Sequence, residues 1–207
     1  MLHDDIQRRL RPRQPPPVEY QPPQLIVDAV GRHEAGHVCA GVALGQTIEY
    51  VKLSRGADGV TRGRTCHSTG VDLIVSMVCL AAGPAAQRRF GARGAHYDQW
   101  CADDEKQMVS LALDLVETQP RRDRKANALK LIAGAERAAE RLVDHLWADI
   151  DRVACELVRF EELDADDVER LTKDVPRINF RAAALRDDAT LDGKPFRRRF
   201  DGHMGGH

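Results

Sequence analysis

The sequence predicts a mainly α-helical domain with one small β-hairpin or sheet. Two observations carry this expectation. Apolar residues recur at helical spacing over most of the stretch from Gln24 to Leu171, and only two short runs with strand chemistry, Thr47 to Leu53 and Val60 to His67, interrupt it. At 207 residues the chain holds one domain with a real core plus tails, and is short for two. The expected organisation is a flexible arm over 1–23, a folded domain over 24–173 and a disordered tail over 174–207.

The arm contains six of the ten prolines, interleaved with Arg8, Arg9, Arg11 and Arg13, a composition that cannot sustain helix or sheet hydrogen bonding. From Gln24 to Leu44, Ile26, Val30, His33, His37, Gly41 and Leu44 fall on one stripe, and Gly45 is placed to end the helix. The β-branched and aromatic run Thr47 to Leu53 predicts a strand. The charged run Val60 to His67 predicts a partner suited to an exposed edge. Val71 to Phe90 predicts an apolar helix capped by Ser68 or Thr69, with Gly83-Pro84 expected to kink or interrupt it, followed by a glycine-rich loop, GARGAHYDQ. An amphipathic helix is expected from about Trp100 to Glu117, with Asp98, Asp103 and Asp104 at its positive end and Pro120 closing it. Lys125 to Phe160 predicts a long helix or helical hairpin, and Asp164 a cap for a short last helix carrying Val168 and Leu171.

Composition bounds the function classes. A charged fraction of 30% with a formal net charge of −1 provides no field for nucleic acid or acidic lipid. The basic knot Arg121, Arg122, Arg124, Lys125 is diluted by Asp123 and lacks aromatic interleaving. Five cysteines scattered singly, with no CxxC pair, argue against a disulfide framework and fit a reducing cytoplasm. No stretch is long and apolar enough to span a bilayer, and the charged N-terminus is unlike a secretory signal.

The chemistry concentrates in His33-Glu34-Ala35-Gly36-His37. Residues four apart on a helix project within about 40° of each other, so one metal ion can bridge His33 and His37, while Glu34 lies about 100° away, beside the metal. Two imidazoles and one further ligand leave a tetrahedral zinc with an open position, and Glu34 then serves as general base on a zinc-bound water. Both histidines lie on the apolar stripe, where an unligated pair would have to find partners for several buried nitrogens. The HExxHxxGxxH extension is absent, since Ala40 and Ala43 occupy its last two fixed positions. By chemistry alone the third ligand stays open among Asp103, Asp104, Glu105, His67, His96 and Cys101. His203 and His207 near the C-terminus are candidates for adventitious metal.

The succession of HEAGH, a strand pair, an apolar helix with LAAGPAAQRRFG and then CADDEKQMVSLAL resembles the peptidase domain of the FtsH family, zinc proteases of the AAA+ class. The similarity covers about 24 to 173, including the closing stretch HLWADIDRVACELVRFEELDADDVERL. It implies a third ligand at the start of the helix after the glycine-containing loop, the place of Asp104, with neighbouring Asp103 not a ligand. It also implies zinc-dependent endopeptidase activity. The ATPase motif GxxxxGK[ST] is missing, as are the membrane-spanning segments, so motor, anchor and hexameric ring are not implied and oligomeric state is left open. The expected substrate is an unfolded or extended polypeptide, with any ATP-driven unfolding left to a separate ATPase. The candidate substrate-pairing edge is Val60 to Arg64. The alternative is a catalytically silent zinc-containing binding module. His67 and His96 are auxiliary candidates for the cleft, though surface or loop roles are the commoner fate of such histidines.

Overall fold

The computed structural model describes Ile6 and residues 23–56, 61–67, 72–92 and 95–178. Within them the chain is mainly helical with a small three-stranded antiparallel sheet. The elements run α1 (Pro23–Ala43), β1 (Ile48–Arg55), β2 (Thr61–His67), α2 (Leu73–Arg89), α3 (Ala95–Val116), α4 (Arg121–His145), α5 (Trp147–Phe160), β3 (Glu162–Asp164) and α6 (Ala165–Thr172). No helix among the described residues is long and apolar enough to cross a membrane.

Two helices form the centre. α1 buries Ala29, Val30, Ala35, Val38 and Cys39, and packs against α2 on one side and α5 on another. α2 is buried on nearly every face, from Ile74 to Gln87, and its small residues let neighbours close in around it. Asp72 caps it, with its carboxylate accepting the Ile74 N–H at 2.8 Å. Ser68 and Thr69, the expected caps, lie outside the described residues. The expected interruption at Gly83-Pro84 does not occur: Pro84 sits inside a helix that runs on to Arg89, because burial of the surrounding alanines outweighs the loss of one N–H from the ladder.

α3 begins at Ala95, earlier than expected, and takes in half of the stretch read as a glycine-rich loop. Asp103 and Asp104 are therefore not at its positive end but more than two turns inside it. α4 shows the cleanest helical period, burying Ala128, Leu131, Ile132, Ala135, Ala138, Ala139, Leu142 and Val143 against α2 and α3. Pro120 does not close α3, which ends at Val116, but takes the N-cap position of α4. The stretch 125–160, expected as a long helix or a helical hairpin, is two helices that meet at Leu146.

The sheet order is β2-β1-β3, which makes the charged β2 an edge strand. Val60 of the expected edge lies outside the described residues. In β1 the buried side chains are Ile48, Val51 and Leu53, and a bulge between Ile48 and Tyr50 resets the alternation so that all three face the core. β3 pairs with the other side of β1, in a stretch where no strand was expected. Leu163 is buried in the core, and Lys52 reaches Glu162 across the pair at 2.7 Å. Asp164 caps α6 by accepting the Asp167 N–H at 2.9 Å.

Packing continues past the expected boundary at 173. Val175 is buried, the Ile178 N–H donates to Ala43 O at 2.7 Å, and Arg177 donates to Val42 O, so this segment is sewn to the end of α1. Ile6, inside the expected arm, is likewise buried in the core. The rest of the arm up to residue 22 and all of 179–207 lie outside the described residues.

Leu163→Ala should lower stability by about 2–5 kcal/mol, and Phe160→Ala by no more than about 0.5, since Phe160 is half exposed. Urea unfolding checks the pair. Equal losses would mean that β3 is not anchored as described.

Candidate metal centre

α1 brings His33 and His37 onto its buried face one turn apart, with their rings edge to face and centroids 4.7 Å apart. Their Nε2 atoms are 3.1 Å from each other. From α3, Asp104 Oδ2 completes a triangle, 3.0 Å from His33 Nε2 and 3.5 Å from His37 Nε2. Among the described residues this is the group of side chains able to share a metal ion.

The face of α2 opposite these rings explains their orientation. Cys79, Gly83 and Gln87 recur every four residues and so share one side of that helix. The Cys79 carbonyl lies 2.8 Å from His37 Nδ1, and Gln87 Oε1 lies 3.0 Å from His33 Nδ1. Each Nδ1–H donating to these oxygens fixes the tautomer whose Nε2 lone pair faces Asp104. Gly83 stands between them. A Cβ there would overlap His37 Nε2 and come within 2.9 Å of His33 Nε2, so only glycine leaves room for the rings.

The sequence reading passed over Gln87 and the Cys79 carbonyl. An amide directly after the small-residue run Ala81–Ala86 was the available signal, and in the structure Gln87 is buried to 2% exposure and must find partners. The Cys79 carbonyl had no signal in its side chain. Burial pushes the Cys79 thiol up to about 12, so the residue contributes its backbone and not a thiolate.

The other third-ligand candidates fall elsewhere. Asp103 faces solvent at 82% side-chain exposure and pairs with Lys106 at 2.8 Å. Asp104 shares its helix face with the buried Cys101 and Met108, which turns it inward. Cys101 Sγ lies near Gln87 Oε1 at 3.9 Å, outside the donor triangle, as does Glu105. The side chains of His96 and Asp98 lie outside the described residues. His67, at the end of β2, packs over Gly41, and its Nδ1 is buried without a hydrogen-bond partner. Burial, aided by the His37 charge and opposed by Asp104, pushes His67 down to about 4, so it is neutral near pH 7.

Glu34 is buried at 5% exposure and points to the sheet. The Thr65 hydroxyl donates to Oε2 at 2.6 Å. A Cβ on Gly63 would overlap the same carboxylate, so the edge strand carries glycine where Glu34 lies across it.

The donor set fits a divalent transition ion. A tetrahedron with bonds of about 2.0–2.1 Å has edges of about 3.3–3.4 Å. The observed separations of 3.0, 3.1 and 3.5 Å bracket that edge. Imidazole and carboxylate are also the donors such ions accept. By themselves these groups hold a proton instead: burial pulls His37 down, but the Asp104 charge and hydrogen bond, with Glu34 behind, raise it to about 9. Burial pushes the Asp104 carboxyl up, but the His37 charge and the hydrogen bonds from both histidines hold it well below the usual carboxylate range.

Comparison of the sequence with protein-family models and with curated proteins finds no match.

Two outcomes are expected. In the chelator-treated protein, the raised His37 contributes stability that is fully present below its unfolded value of 6.5 and is lost as pH rises through about 9. The lowered Asp104 contributes stability present above 3.8 and lost at lower pH. A denaturation midpoint that stays level from pH 6.5 to 9.5 would contradict the ion pair. Gly83→Ala should abolish stoichiometric metal uptake, measured by inductively coupled plasma analysis, through displacement of the imidazoles.

Proposed function

We propose that this protein is a zinc-dependent endopeptidase of the kind found in FtsH-like proteases, hydrolysing peptide bonds in unfolded or extended polypeptide segments. The observation that carries the reading is the buried triangle of His33 Nε2, His37 Nε2 and Asp104 Oδ2 with Glu34 next to His33 on the same helix. His33, His37 and Asp104 would hold the ion. When bound, zinc would supply Lewis acidity toward a water molecule and a scissile carbonyl.

The chain's own groups account for the remaining demands. Glu34 is the proton carrier: Oε2 is held by Thr65, which orients the carboxylate and leaves Oε1 to take a proton from the attacking water and return it to the departing amine. Gln87 and the Cys79 carbonyl keep both imidazoles in one tautomer and one orientation. β2 supports the choice of substrate. It is an edge strand whose Gly63 and Thr65 border Glu34, so a backbone pairing along it would have to be extended already. Any unfolding of the substrate would fall to a separate ATPase.

Glu34→Gln should retain one zinc per chain and lose casein-like substrate cleavage by about 100-fold or more. Both measurements belong in a His203→Ala/His207→Ala background, which removes competing histidines of the tail. Asp104→Asn should weaken zinc binding while Asp103→Asn leaves it unchanged. Equal cleavage by wild type and Glu34→Gln would refute the mechanism. Zinc binding without cleavage by either protein would favour a silent binding module.

A further inference from the structure

The face of β2 turned toward α1 ends in a histidine that the proposed mechanism leaves unused. Gly63, Thr65 and His67 alternate onto one side of that strand. The first two meet Glu34, while the His67 ring rests on the backbone of Gly41, where a Cβ would lie 3.1 Å from Nδ1 and 3.2 Å from Cε1. Gly41 is one turn beyond His37, as His37 is beyond His33, so it continues the row of histidines along α1. Glu34 and the His67 ring therefore meet α1 about 10 Å of helix rise apart, with His37 between them. The ring is near enough to the metal centre for His37 and Asp104 both to act on its charge.

The two ring nitrogens have different surroundings. Nδ1 is buried without a hydrogen-bond partner, whereas Nε2 is not closed off in this way and the residue is only partly buried. A neutral imidazole carries one N–H, and an orphaned buried N–H is the arrangement that folded proteins avoid most strictly. The proton therefore belongs on Nε2. Base chemistry is closed to this ring, since its one lone pair, on Nδ1, is enclosed. What it offers is an uncharged N–H donor beside the candidate centre.

Resting on the peptidase reading, we propose that His67 is a further catalytic residue, whose Nε2–H donates a hydrogen bond to the oxyanion of the tetrahedral intermediate. Water adds its oxygen to the scissile carbonyl carbon, the carbonyl π pair moves onto the carbonyl oxygen, and Glu34 takes one proton of the water. His67 keeps its own proton throughout. On collapse the C–N bond breaks, the proton on Glu34 goes to the departing amine, and the new carboxylic acid releases its proton to solvent. Such a donor acts more strongly on the oxyanion than on the neutral carbonyl, so its effect falls on kcat. Thr65 and His67, two residues apart on one strand, thus hold the base and the oxyanion donor in one register.

The test uses the full zinc-loaded chain in the His203→Ala/His207→Ala background, with fluorescein-labelled unfolded casein as substrate. His67→Ala should keep one zinc per chain, lower kcat by about 100-fold or more and leave KM within about threefold. His67→Gln, whose amide carries an N–H, should recover about tenfold of that loss, and His67→Phe, which fills the space without a donor, should recover none. A second readout needs no turnover. In protein labelled with nitrogen-15 at histidine, long-range proton–nitrogen correlation at pH 7 should show one ring, missing in His67→Phe, with Nε2 protonated and Nδ1 bare. A proton on Nδ1, loss of zinc with His67→Ala, a raised KM at unchanged kcat, or equal kcat in wild type and His67→Phe would overturn the proposal and leave the peptidase reading standing. No cleavage by wild type would overturn both.

Discussion

The close approach of α1 and α2 at Gly83 is the constraint on which the rest of the candidate centre depends. Two imidazoles one turn apart, with Nε2 atoms at 3.1 Å, are stable only if something lies between their lone pairs and something holds their outer nitrogens. α2 supplies the second condition by presenting a carbonyl, a gap and an amide at four-residue intervals. The first is met by a proton on His37 shared with Asp104, or by a cation in its place. Any side chain at residue 83 would break both arrangements at once, because it would push the rings away from their acceptors and from Asp104.

The sheet is coupled to the same helix. Glu34 leaves α1 on the side facing β2, where Gly63 makes room and Thr65 donates a hydrogen bond. The edge strand is thus registered against the carboxylate by contact, and β1 holds that strand in place through a ladder that β3 extends on its other side. The small sheet therefore positions Glu34 as well as covering part of the core, which explains why three short strands persist in a chain whose core is helical.

Much of the fold was legible because helix periodicity is local. The span of α1 and the period of α4 appear in the sequence as they do in the structure, as does the Asp164 cap, but α1 is buried on every side from His33 to Ala43 and not along one stripe. Errors arose where tertiary burial overrode local preference. Pro84 stays inside a helix because α2 is packed on all sides, and α3 starts at Ala95 although glycine-rich sequence precedes it. β3 escaped notice because three residues carry no period, and its strand character comes from pairing with β1.

The sequence by itself determined the chemistry on α1, because His33, Glu34 and His37 are related by helix geometry alone and any helix through them sets their spacing. Only the tertiary structure decided which aspartate turns inward, since Asp103 and Asp104 differ by about 100° around α3 and the choice depends on which face of that helix is buried. It likewise decided which groups hold the imidazoles. Gln87 and Cys79 lie 54 and 42 residues from the rings they orient. Contacts at such separations are products of packing, to which no local pattern is tied.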